Sequence, residues 1–313
     1  MRGSILFIRF STLQNNSFYC LADTIFPGTW MNLQAYIRIV RPFVCIQLAT
    51  LSVLGIILAK KDFPDLILML GTFLSAFLVA ASIHTLNDYL DYEVDLVNTP
   101  WRPIPSGKLS RPQALRYGLA LGIAGLAITL FFNPFAATIL LLIFVLTNYY
   151  SIKAKIYGFI GHVIVAFCFA SYFLFGTLII TNQIEPYLLN IFGLCFLYIL
   201  GGEVVQSIAD AEGDAIRGVR SIALVNSPRT AAIVATACYI LMVFLGAYTI
   251  TKFAPSLDIF TAALVLASTL LFIGLITFPL LIKPEKEIAI KTRTRINTMG
   301  LLMIFTFLVY LLI

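Results

Sequence analysis

Residues 84–115 read HTLNDYLDYEVDLVNTPWRPIPSGKLSRPQAL, the polar close of a long apolar run that begins near Asp65. On a helix, positions three, four and seven apart share a face, so His84, Asp88, Asp91 and Asp95 point the same way, with Asn87 one position round. A helix end so crowded with carboxylates is looking for a cation, because packing like charges together raises pKa values and costs stability. Divalent metal and basic side chains are the usual agents. Arg102 and Lys108 follow within a few turns. From Asn98 to Pro112 four prolines and a glycine forbid a continuous helix and make a structured loop. Ser110 and Pro112 then read as the cap and early-turn proline of the next helix.

The apolar run belongs to a chain of 313 residues, 60% hydrophobic and 12% charged, with a mean hydropathy of +0.96. A membrane span needs about 20 mostly apolar residues. Nine such segments fit, at 40–59, 66–87, 113–132, 134–150, 157–180, 187–209, 230–250, 256–282 and 296–313, so the expected fold is an all-α polytopic membrane protein. No soluble domain of ordinary size fits in what remains. Five scattered cysteines with no CxxC read as buried thiols, not as a disulfide framework or a zinc site. The partner this composition implies is the lipid bilayer, and nothing points to nucleic acid.

The net charge of +6 matters through its distribution. Beyond residue 30, the loops on the side of Arg38 and Arg41 hold 16 Lys and Arg, and the opposite side holds only Lys60, Lys61 and Lys252. The positive-inside rule then puts the N-terminus and the carboxylate-bearing loops in the cytoplasm and the C-terminus outside. Residues 1–30 lack both a sustained apolar run and a small-residue cleavage site, so a signal peptide fits poorly. They are an extension of uncertain role, either preceding a natural start at Met31 or lying along the bilayer. Residues 31–313 form one transmembrane domain.

Polarity intrudes a second time in GGEVVQSIADAEGDAIRGVRS, which sets Glu203, Ser207, Asp210 and Asp214 on one helical stripe with Glu212 beside it. Of the chain's 15 acids, four lie between residues 88 and 95 and four between 203 and 214. A carboxylate near the bilayer centre costs about 2.5–3.5 kcal/mol, so Glu203 must face a polar cavity. Spans two and six are expected to face each other across it. Tyr150, Ser151, Lys153 and Lys155 add hydroxyls and ammonium groups at the same surface; an interfacial belt with snorkelling anchors is an equally good reading of that cluster. His84 serves equally as an orienting group or a packing residue, and His162 reads as structural.

Two opposed acidic helices flanked by Arg102, Lys108, Lys153, Lys155, Arg217 and Arg220 would hold something both anionic and metal-bound. Carboxylates without His or Cys suit Mg²⁺, which commonly bridges to substrate phosphates. A polyprenyl diphosphate answers both the charge and the greasy interior. Ionising its allylic C–O bond calls for neutralisation of the departing diphosphate and a dry cavity for the cation.

The run Asn87-Asp88-Tyr-Leu-Asp91-Tyr-Glu-Val-Asp95 with Asn98-Thr-Pro-Trp-Arg102-Pro resembles the first aspartate-rich motif of the UbiA superfamily of intramembrane prenyltransferases. Asp210-Ala-Glu-Gly-Asp214 with Gly218 and Arg220 is similar to its second. The resemblance implies a nine-helix bundle around a central cavity, with Mg²⁺ held between the motifs. It places Asn87, Asp91, Asp210 and Asp214 at metal-binding positions, supported by Asp88 and Asp95. Arg102 and Lys155 fall near the diphosphate, and Tyr150 and Ser151 line the pocket. Asp91, Asp210, Asp214 and Arg102 are thus the candidate catalytic residues. Many relatives have a basic residue and an aspartate where this chain has Gln206 and Ser207, and an asparagine where it has His162. Lacking that basic residue, the chain is expected to use an aromatic or quinol-like lipophilic acceptor before a phosphate-bearing one. A terpene cyclase on the same scaffold is the alternative. A cation or phosphate transporter is disfavoured, because both acid clusters sit at one surface.

Overall fold

The computed structural model describes residues 30–62, 64–216, 218–253 and 259–312, and every regular element among them is helical. The expectations for residues 1–29 and for Arg217 lie outside the described residues. The order is α1 (Trp30–Ile39), α2 (Pro42–Lys60), α3 (Leu66–Leu90), α4 (Tyr92–Asn98), α5 (Arg111–Phe132), α6 (Pro134–Ile152) and a 3₁₀ turn (Ala154–Tyr157). There follow α7 (Phe159–Ile180), α8 (Pro186–Ala209), α9 (Ala211–Ile216), α10 (Ile222–Val225), α11 (Pro228–Phe253), α12 (Ile259–Ile282) and α13 (Lys286–Leu312). Seven of them, α2, α3, α5, α6, α7, α8 and α11, are long and apolar enough to cross a membrane. They coincide with the first seven expected spans. The other two expected spans fall on α12 and α13, many of whose side chains lie outside the described residues.

Helix ends follow local chemistry. Asp65 Oδ1 accepts the Ile67 N–H at 2.7 Å to start α3. Ser110 and Gln113 close a reciprocal capping box at the start of α5. Asn133 joins α5 to α6 in a tight hairpin: its Oδ1 accepts the Phe135 and Ala136 N–H groups, while its Nδ2 donates to the Leu178 and Ile179 carbonyls near the end of α7. One side chain thus caps two helix ends, while the Asn133 backbone N–H closes α5 on the Thr129 carbonyl at 2.9 Å.

Packing is closest where glycine removes the Cβ. A Cβ on Gly176 would sit 1.8 Å from the Ser52 carbonyl oxygen, and one on Gly55 would sit 2.2 Å from that of Phe173. The α2 and α7 backbones therefore touch, as small residues allow between membrane helices. Buried apolar side chains form two clusters. One draws on α2, α3, α5, α6, α7 and the first turns of α8. The other draws on the rest of α8 with α11, α12 and α13. Cys45, Cys168, Cys195 and Cys238 are free thiols within this apolar packing.

Candidate active site

Both acidic stretches interrupt their helices in the same way. The sequence alone reads Asn87 to Asp95 as one continuous helical run, but α3 stops at Leu90. Asp91 (φ −83°, ψ 5°) then passes the chain to the short α4. At the second stretch α8 stops at Ala209, and Asp210 (φ −95°, ψ 3°) leads into the short α9. At each junction the aspartate N–H bonds back to the carbonyl four residues earlier, Asn87 in one case and Gln206 in the other, both at 2.9 Å. The acids therefore stand on the ends of two long rods, each followed by a short helix carrying the next aspartate, Asp95 or Asp214.

The first motif meets its compensating charge in basic side chains from three separate segments. Asp88, 3% exposed, lies 2.5 Å from Arg41 Nη2 and 3.3 Å from Arg102 Nη1. The same Arg102 nitrogen lies 2.6 Å from Oδ2 of Asp95, which is 1% exposed and also accepts the Thr99 hydroxyl at 2.9 Å. Lys155 Nζ lies 2.5 Å from Asp91 Oδ2. Burial alone would lower the Arg102 pKa, but the Asp88, Asp95 and Asp91 carboxylates outweigh it and hold it above its ordinary value. Asn87 donates to Ser151 Oγ at 3.1 Å, which fixes the α3–α6 contact at this end.

The other expected residues divide. The Tyr150 ring packs against Gly161, close enough that a Cβ there would lie 3.0 Å from it. Lys153 is exposed and ends α6. Lys108 is exposed in a shallow notch with Gln34, Arg38, Trp101 and Pro103, between α1 and the proline-rich loop. Asp210 is exposed and accepts from Gln206 Nε2 at 2.9 Å. Asp214 is half-buried, and its carbonyl accepts the Val219 N–H. Arg41 escaped the sequence reading, which used it only to orient the chain. Its one signal was its place beside Pro42, at the mouth of the first span.

The 3₁₀ turn draws the two motifs to one end of the bundle. Its Lys155 holds Asp91, and the next residue, Ile156, accepts the Arg220 N–H at 3.3 Å just beyond the second motif. Gly158, at φ +59°, lets the two strands of chain meet, since a Cβ there would lie 1.8 Å from the Arg220 carbonyl oxygen. Among the described residues no three His, Cys, Asp or Glu side chains converge as a closed metal site. That absence does not exclude magnesium, which is usually held by one or two carboxylates, waters and substrate phosphates. Asn87, Asp91, Asp210 and Asp214 offer hard oxygen donors of the right kind. A separate cavity of about 560 Å³, lined by Ile57, Leu58, Lys61, Glu185, Tyr187 and Phe253, opens at the opposite ends of α2, α8 and α11, away from both motifs.

Residues 48–299 match the UbiA prenyltransferase family. Digeranylgeranylglyceryl phosphate synthase of Thermococcus kodakarensis is 35% identical over 214 residues, 68% of this chain and 76% of that protein. A solved structure of a digeranylgeranylglyceryl phosphate synthase superposes with a TM-score of 0.69 at 29% identity, covering 88% of this chain and 97% of the other. A UbiA homologue from Archaeoglobus fulgidus, bound to GPP and Mg²⁺, shares the fold with a TM-score of 0.68 at 19% identity, covering 87% and 98%. The family match runs through both aspartate junctions and every helix between them, and the chain therefore belongs to the UbiA prenyltransferase family and is an intramembrane prenyltransferase.

Proposed function

We infer that this protein moves a geranylgeranyl-class group from its diphosphate to the free hydroxyl of a glyceryl phosphate ether at the cytoplasmic side of the membrane. The observation that carries the reading is 35% identity, over three quarters of its length, to a digeranylgeranylglyceryl phosphate synthase. It replaces the aromatic or quinol-like acceptor expected from the sequence. That expectation rested on the missing basic residue near Gln206. The geometry offers cations from other segments: Arg41, Arg102 and Lys155 at the first motif, and Arg38 and Lys108 in the neighbouring notch.

In this reading Asn87, Asp91, Asp210 and Asp214 hold Mg²⁺, with the Asp88 and Asp95 carboxylates supporting the first junction through their arginines. When bound, the metal supplies charge neutralisation for the departing diphosphate. Lys155 and Arg102 add fixed positive charge beside it. The apolar interior between the helices takes the prenyl chain and keeps water from the allylic cation.

The test is purified protein with geranylgeranyl diphosphate, Mg²⁺ and one acceptor at a time: geranylgeranylglyceryl phosphate, a quinol-like aromatic, or none. Ether formed on the glyceryl phosphate is expected. Product on the aromatic alone, or a cyclic hydrocarbon without any acceptor, would overturn the reading.

A further inference from the structure

His162 and Glu203 form a membrane-embedded pair that the metal chemistry does not use. His162 lies on the first turn of α7, with its N–H on the Gly158 carbonyl at 3.2 Å, directly beyond the 3₁₀ turn that joins both motifs. Glu203 stands seven residues before Asp210 on α8, about 10 Å further along the rod. His162 Nδ1 is 3.7 Å from Glu203 Oε2. Both imidazole nitrogens are buried and have no hydrogen-bond partner among the described residues. A buried polar ring left without a partner calls for an explanation, and an ionisable pair inside a membrane protein is a functional feature by default.

We propose that His162 takes the proton from the acceptor hydroxyl and that Glu203 is the positioning residue that sets its tautomer. The inference rests on the acceptor reading above. With Nδ1–H turned toward the Glu203 carboxylate, Nε2 keeps its lone pair for the substrate. The 3.7 Å separation is long for a hydrogen bond, and such contacts commonly tighten only when substrate binds. As the acceptor oxygen bonds to C1 of the prenyl group, the C1–O bond to diphosphate breaks and diphosphate leaves with the electron pair. The hydroxyl proton passes to Nε2, the imidazolium is held against Glu203, and water at the cytoplasmic mouth then removes the proton.

The experiment compares wild type, His162→Gln and Glu203→Gln in two assays: ether formation on geranylgeranylglyceryl phosphate, and acceptor-free release of diphosphate from geranylgeranyl diphosphate. His162→Gln should lower kcat for ether formation by about 10²–10⁴-fold, with both KM values and the acceptor-free release close to wild type. Glu203→Gln should follow with a smaller loss in the same assay, and it decides alone if His162→Gln cannot be purified. Unimpaired ether formation, or an equal loss in both assays, would overturn the proton transfer. A wild-type protein inert toward the glyceryl phosphate yet active on another acceptor would instead overturn the acceptor reading.

Discussion

Lys155 Nζ lies 2.5 Å from Asp91 Oδ2, joining residues 64 positions apart. This pair ties the turn between α6 and α7 to the end of α3. Because Ile156 in the same turn holds the backbone beyond Asp214, the spacing of the two acidic junctions depends on it. A compact ammonium can satisfy one carboxylate oxygen and still leave the other for a further ligand.

Asp91→Ala should abolish turnover while the protein still elutes as a folded species from size exclusion. Lys155→Met should cost up to about 3–5 kcal/mol, because it takes the ammonium away from a largely buried carboxylate. Thermal unfolding in detergent, followed beside prenyl transfer, checks both. Full activity in Asp91→Ala would remove the first junction from the chemistry.

Arg102 reaches Asp88 and Asp95 through one nitrogen, and removing it takes the guanidinium away from a buried Asp95 carboxylate. Arg102→Gln should therefore lower Tm by several degrees, equivalent to about 3–5 kcal/mol. The Arg102 pKa is raised in the folded state, so its contribution is complete below the unfolded value and is lost only as pH rises beyond it. The Tm difference between variant and wild type should accordingly stay constant from about pH 7 to pH 9. A difference that shrinks over that range would mean another group governs the stability.

Gly176→Ala drives a methyl into the Ser52 carbonyl and should cost at least about 1–3 kcal/mol as α2 and α7 separate. Gly274 in α12 has open space where a Cβ would go, so Gly274→Ala should be neutral or stabilise by up to about 1 kcal/mol. The two Tm values, measured side by side, distinguish backbone contact from a general intolerance of glycine replacement.

Chelation should stop transfer, and added Mg²⁺ should restore it, with little change in Tm. Arg41, Arg102 and Lys155 already balance the first motif without metal. A Tm drop of more than about 10 °C on chelation would show that the ion is part of the fold.

The membrane helices through Phe253 were legible because apolar length is a direct physical requirement of the bilayer, and Ser110 caps α5 where its side chain predicts. The break at Asp91 was not legible: the sequence around it carries no proline or glycine, and tertiary pairing with Lys155 and Arg102 competes there with local helix preference. Arg41 was hidden for a related reason. Its partner Asp88 lies 47 residues away, and no local pattern reports such a contact. Lys108 shows how little nearness in sequence says about place, since it follows the first motif closely yet the proline-rich loop sets it in the notch beside α1.

The two apolar clusters give the molecule a seam. The first acidic junction is rooted in one cluster and the second in the other, with α8 running through both. The two acidic junctions thus belong to two separately packed greasy halves, and the turn that holds Asp91 through Lys155 and the Arg220 N–H through Ile156 is the rivet across that seam.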